Sequence, residues 1–242
     1  MIKDKKLLVF SAHAADFVWR SGGTIAKYID EGAEVHVIVF SMGVRGESND
    51  LWKQEGQTAE TVSAMRKAES MNAAEILGVK NIEYWGMMDY PIVFDDASKE
   101  RIIRKIREVR PDYVITHDKT DLFNPDHNEV SKVVHSCCVQ SISAGVRMEG
   151  LKHTKQMNIF GFEPHQTEIS GYIPGIMVDI TSVYDKKIAA MKCFLAQSHL
   201  IEYYTQRAFL RGNHARRISG ETKYKYAESF ARFFPVVSEE LI

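Results

Sequence analysis

Apolar residues cluster along this chain in short blocks separated by longer stretches with helical periodicity. Leu7 to Ser11, Val35 to Ser41, Ile82 to Trp85 and Tyr113 to Thr116 are short, mostly apolar runs. Runs of this length and composition read as strands buried on both faces. Between them, Gly23 to Glu31 reads as a helix with Ile25 and Ile29 on one side, stopped by Gly32. Met42 to Gln57 is polar and glycine-containing, which predicts a loop. Thr58 to Leu77 is the strongest helical pattern. Its expected core side carries Val62, Met65, Ala68, Ala73, Ile76 and Leu77, and Gly78 is its natural C-cap. Ser98 to Val109 predicts another helix. Asn124-Pro125 opens the next one, with asparagine as N-cap and proline at the first position. From about Asn158 onward the pattern gives strand-like pieces, Ile159 to Phe162 and Ile176 to Ile180. Two helices follow, Val183 to Leu195 and His199 to Leu210.

Strands alternating with helices at this spacing imply βαβ units, hence an α/β fold with a mostly parallel sheet and helices on both faces. No linker, repeat or low-complexity tract interrupts residues 1–242, so a single domain is expected. Ligands of such sheets gather at the carboxyl ends of the strands. His13 and Asp16, Gly43 to Ser48, Tyr84 to Asp89 and His117 to His127 follow the four strands in turn. Their loops should open onto one cleft.

Composition narrows the function classes. A formal net charge of -1 on 242 residues supplies no basic field for nucleic acid or an anionic membrane. An anionic small-molecule substrate would therefore need local arginines. No apolar run approaches the roughly 18 residues of a membrane span, and Met1 to Lys6 lacks the apolar core of a signal peptide. Cys137, Cys138 and Cys193 form neither a disulfide framework nor a CxxC pattern. A reduced, cytoplasmic protein with buried thiols is expected.

His13 and Asp16 would supply one nitrogen and one oxygen from a single turn, and His127 a second nitrogen from a neighbouring loop. Two histidines and a carboxylate with open positions form a catalytic zinc pattern, although Fe²⁺, Co²⁺ or Mn²⁺ would also suit these donors. His117, with Asp118 beside it, would orient the ligands. So would Asp126, in a first helical turn where the dipole favours an acid.

The run Ala12-His13-x-x-Asp16 with Gly22-Gly23-Thr24 resembles the signature of the LmbE/PIG-L family of zinc-dependent deacetylases. Arg66-Lys67-Ala68-Glu69, Leu77-Gly78-Val79 and Pro125-Asp126-His127 also match its motifs, in order. This resemblance implies a Rossmann-like fold, one Zn²⁺ on His13, Asp16 and His127, and a homo-oligomer. The departures are informative. The family's proline position is Ala14, its general-base aspartate is Ala15, and its glutamate position is Val18. A further family histidine is replaced by Asn124. Losing a positioned acid or base typically costs about 10²–10⁴ in rate, which argues against deacetylation.

The chain also resembles a hydratase branch of that family, which acts in gallate/protocatechuate-type aromatic catabolism. Those enzymes add water to a conjugated oxo-tricarboxylic acid such as 4-oxalomesaconate. The matching residues are Ser11 to Gly23, Arg45-Gly46-Glu47-Ser48 with Leu51-Trp52, and Phe162-Glu163-Pro164-His165-Gln166. Asp179 to Val183 and Glu202-Tyr203-Tyr204-Thr205 match as well. On this reading Glu47 is the base in place of the missing aspartate, and His165 is the acid or oxyanion stabiliser. Arg20, Arg45, Arg66 and Asn124 would bind the substrate, with Arg211 and Arg217 as further candidates. Tyr203-Tyr204 reads mainly as core packing. The rivals are an amino-sugar N-deacetylase with a base from another loop, and a metal-binding homologue without activity.

Overall fold

The computed structural model describes residues 2–239. Met1 and residues 240–242, which the single-domain expectation included, lie outside the described residues. Seven strands form one sheet in the order β3-β2-β1-β4-β5-β7-β6. These are β1 (Lys6–Ser11), β2 (Glu34–Ser41), β3 (Asn81–Met87), β4 (Tyr113–His117), β5 (Asn158–Phe162), β6 (Ile176–Asp179) and β7 (Ala227–Arg232). Parallel pairing runs from β3 through β5, and β7 is antiparallel to both β5 and β6. The helices are α1 (Asp16–Asp30), α2 (Asn49–Trp52), α3 (Ala59–Leu77), α4 (Asp96–Val109), α5 (Pro125–Ser141), α6 (Tyr184–Met191) and α7 (Leu200–Ser219).

Side-chain alternation along the central strands builds a core on each face of the sheet. Leu7, Val9, Val37 and Val39 pack with Ile25 of α1, Leu77 of α3 and Met191 of α6. Leu8, Phe10, Ile38 and Phe40 pack on the other face with Ile102 and Ile106 of α4 and Val130 and Val134 of α5. The expected α/β fold with helices on both faces is therefore observed.

Several boundaries differ from the sequence expectation, each for a physical reason. Helix α1 starts at Asp16 rather than Gly23. Gly22-Gly23 lies inside the helix, where a Cβ on Gly23 would sit 2.7 Å from Ile180. The N–H groups of Gly23 and Thr24 donate to the buried Glu228 carboxylate, which also takes Lys187. The expected loop Met42 to Gln57 contains the short helix α2. On α3, Met65, Ala68 and Ile76 face outward. The buried side is Val62, Arg66, Ser70, Ala73, Ala74 and Leu77, a stripe that mixes polar with apolar residues. Thr58 caps α3 and Gly78 ends it in the left-handed region. The helix expected over Val183 to Leu195 is α6 flanked by 3-10 turns, and α7 runs on to Ser219. Strand β7 was not anticipated. Its small and polar residues lack β-branched alternation, and Glu228 and Ser229 are buried through pairing with Lys187 and Glu163.

Candidate metal centre and active site

The carboxyl ends of β1, β2 and β4 converge on a cleft of about 390 Å³. Its floor is built by the turn between β1 and α1. Because α1 begins immediately after that turn, Asp16 sits in its first residue position, and its Oδ2 accepts the His13 N–H at 2.8 Å. Ser11 braces the turn, donating to the His13 carbonyl and accepting from Phe17 N. Opposite, Asn124 caps α5 through its side chain, placing His127 in the first turn.

Four side chains meet here. One donor atom from each of His13, Asp16, Glu47 and His127 lies within 4.8 Å of the others. The structure thus brings together the three predicted ligands, with the predicted base among them. His13 Nδ1 faces Glu47 at 3.3 Å and Asp16 at 3.5 Å, while His127 Nε2 faces Asp16 at 3.4 Å and Glu47 at 3.8 Å. Both nitrogens are buried and have no hydrogen-bond partner among the described residues. Buried polar atoms are ordinarily satisfied. Two such nitrogens, aimed at two carboxylates, form a donor set that fits a divalent cation.

The opposite ring nitrogens are anchored. His13 Nε2–H donates to Asp126 Oδ2 at 3.1 Å, and that carboxylate also accepts from Tyr90 N and Ile92 N. His127 Nδ1 meets Asp121 Oδ2 at 2.9 Å. Carboxylates in this position fix the tautomer and leave the other nitrogen free to coordinate. Asp121 was not anticipated from the sequence; the available signal was an acid in the β4–α5 loop close to His127. His117 stacks on His127 with ring centroids 3.9 Å apart, and its Nε2 accepts the Ala12 N–H. Asp118 instead abuts Gly161 of β5.

Electrostatics favour positive charge at the centre. Burial lowers the His13 pKa, but Glu47, Asp126 and Asp16 outweigh it and hold it well above the usual value. Burial raises Asp16, yet His127 and His117 hold it well below the carboxylate range. Glu47 is likewise kept low against burial, chiefly by His13. Burial and His127 push His117 down to about 3, so it is neutral.

Glu47 reaches the cluster through a shaped loop. Gly43 has φ +70°, and a Cβ there would lie 3.2 Å from Glu47 Cβ and 3.3 Å from His13 Cβ. Gly46 passes so close to the Tyr90 ring that no side chain fits. Asp89 Oδ2 accepts from Arg45 N and Gly46 N, and Ser48 closes the loop onto the Gly43 carbonyl. Asn124 Nδ2 donates to Glu47 Oε1 at 3.3 Å. Ala15 and Val18 are fully buried and apolar, so Asp16 is the acid that this turn contributes.

The arginines are distributed differently from the expectation. Arg20 lines the cleft, with NH1 donating to the Glu163 carbonyl at 2.7 Å and NH2 lying 3.6 Å from Asp121. Arg45 is exposed and turns its guanidinium to the Tyr90 carbonyl, outside the cleft. Arg66 is fully buried behind Glu47, where it bonds Glu69, Gln197 and the Met42 carbonyl. It supports the site wall and is not among the residues lining the cleft. Arg211 is consumed by Glu163, and Arg217 lies exposed at the end of α7.

His165 lines the cleft and stacks on Tyr203 at 4.2 Å. Its carbonyl accepts from Arg207 and from the Tyr203 hydroxyl. Burial, then Arg20 and Arg207, lower its pKa to about 4. Tyr204, expected to be mainly packing, lines the cleft, and so does His199.

The family model described as PIG-L, GlcNAc-PI de-N-acetylase, matches residues 8–138. A 4-oxalmesaconate hydratase of Pseudomonas putida KT2440 is 40% identical over 240 residues, covering 98% of this chain and 92% of that protein. The crystal structure of GalB, the 4-carboxy-2-hydroxymuconate hydratase of that organism, superposes with a TM-score of 0.94 at 40% identity. The match covers 98% of this chain and 100% of that one. A diacetylchitobiose deacetylase of Thermococcus kodakarensis is 27% identical over 201 residues, covering 80% of this chain and 70% of that protein. The motifs, the fold and the histidine–carboxylate cluster agree with these matches: the chain belongs to the PIG-L family.

Proposed function

We propose that this protein is a metal-dependent hydratase. Its reaction is addition of water to the C=C of an unsaturated oxo-tricarboxylic acid such as 4-oxalomesaconate. One observation carries the reading: the likeness to a hydratase extends over nearly the full length of both chains, at 40% identity. The site chemistry supports it. The turn that carries His13 and Asp16 has Ala15 where the family's hydrolytic base stands, and Glu47 approaches from another loop instead.

His13 Nδ1, His127 Nε2 and Asp16 would hold the metal, zinc being the best match to two imidazoles and one carboxylate. When bound, a divalent ion supplies Lewis acidity, polarising a substrate oxygen or lowering the pKa of water. Asp126 and Asp121 keep the two imidazoles in register, and His117 packs on His127. Glu47, ionised at neutral pH, accepts a proton from the attacking water. His165, neutral at the same pH, donates its ring N–H to the oxygen on which charge develops in the conjugated acceptor. The proton taken by Glu47 goes to the α-carbon, so that one water is added overall and Glu47 is regenerated as the carboxylate. Arg20 holds a substrate carboxylate, and Asn124 aligns Glu47.

A cytoplasmic setting is supported by three unpaired cysteines, two of them buried. No described helix is long and apolar enough to cross a membrane. A homo-oligomer is supported by exposed Met88 and Val93 flanking one groove. The test is direct. Metal-loaded protein should bleach the conjugated absorbance of 4-oxalomesaconate. Acetate release from an N-acetylglucosamine derivative, without bleaching, would favour the deacetylase instead.

A further inference from the structure

The cleft holds one arginine, whereas the proposed substrate carries three carboxylates. Arg20 is also heavily engaged, lying near Asp16 and Asp121 and bonded to the Glu163 carbonyl. A carboxylate seated on it needs a second donor from the same wall. Tyr204 supplies the geometry. It stands on α7, its ring stacked on Trp19 at 5.3 Å and edge-on to His165 at 6.1 Å. The residue is 7% exposed and is among those lining the cleft. Its hydroxyl makes no hydrogen bond to any described residue, although neighbouring Tyr203 spends its hydroxyl on the His165 carbonyl.

Resting on the hydratase reading, we infer that the Tyr204 hydroxyl is a substrate-contacting donor which, with Arg20, seats one carboxylate of the anionic substrate. Packing fixes the ring, so the donor is placed before the ligand arrives and little ordering entropy is lost. Arg20 and Tyr204 line the same cleft. Burial keeps the phenol protonated well beyond neutral pH. It therefore donates to an anion instead of repelling it. Trp19 and His165 pack against its ring, and a hydrogen bond from it to a carboxylate would be charge-assisted.

The test is Tyr204→Phe, which keeps every ring contact and removes one oxygen. Steady-state hydration should show kcat/KM reduced about 10- to 100-fold, mainly through KM, with melting temperature and metal content unchanged. A reduction below threefold would overturn the assignment. So would a loss that tracks metal content or melting temperature, because the role would then be structural. Calorimetric binding of trans-aconitate, an unsaturated tricarboxylate, to both metal-loaded proteins separates this inference from the activity beneath it. Weaker binding by the variant supports the subsite even if the wild type hydrates nothing. Equal binding contradicts it.

Discussion

Replacing Glu47 by glutamine tests the division of labour between holding a cation and moving a proton. The substitution is nearly isosteric and meets few structural obstacles. The amide oxygen of the variant could still accept from Asn124 Nδ2, which lies 3.3 Å from the native Glu47 Oε1, and the Arg66 contact at 3.9 Å is long. What disappears is the carboxylate facing His13 Nδ1 at 3.3 Å and His127 Nε2 at 3.8 Å. Removing a positioned base costs about 10²–10⁴ in rate, or roughly 3–5 kcal/mol of barrier. His13, Asp16 and His127 remain, so metal should still bind. The assay pairs the decay of conjugated absorbance with metal analysis of the same sample. The expected result is a metal-replete protein slowed at least a hundredfold. A metal-replete variant at the wild-type rate would refute Glu47 as the base; loss of metal would instead place Glu47 among the ligands.

Three other perturbations follow from the geometry. Gly43→Ala forces a side chain into φ +70° and against Glu47 Cβ and His13 Cβ. It should cost about 1–2 kcal/mol by denaturant unfolding and lower kcat disproportionately; an unchanged kcat would show that the loop need not be so tight. Asp126→Asn removes the charge on His13 Nε2 and should weaken metal affinity about 10- to 100-fold, read by competition with a chelator, whereas equal affinity would contradict the anchoring role. His165 titrates near 4 in the folded protein against about 6.5 unfolded. Between those values the unfolded chain binds more protons, so stability falls as pH drops from 6.5 toward 4. Chemical denaturation across that window should show a shallower slope for His165→Asn than for wild type, and identical slopes would remove His165 as the cause.

Local chemistry explains why some of this site could be read in advance. His13, Asp16 and His127 flank a strand end and a capped helix start, features that short-range sequence rules detect. Glu47 stood out because a nearby acid had to replace the one absent at Ala15. Arg66 misled because its charge suggested a ligand contact, whereas its position on α3 turns it inward between Glu69 and Gln197. Met65, Ala68 and Ile76 misled in the opposite sense, being apolar yet exposed, since the polar Arg66 and Ser70 occupy the buried stripe. Asp121 lies only six residues before His127 but carries no motif of its own, whereas Tyr204 packs on the distant Trp19, a contact that no local pattern encodes. Strand β7 escaped for the same reason, because Glu228 and Ser229 are buried only by virtue of Lys187 and Glu163.

The central claim is that this metal site adds water to a carbon–carbon double bond. The most direct measurement incubates the metal-loaded protein with 4-oxalomesaconate in ¹⁸O-labelled water and follows absorbance and product mass together. The account predicts loss of the conjugated band with one labelled water added per substrate, abolished by chelation. A persistent band with fully metal-loaded protein would contradict it.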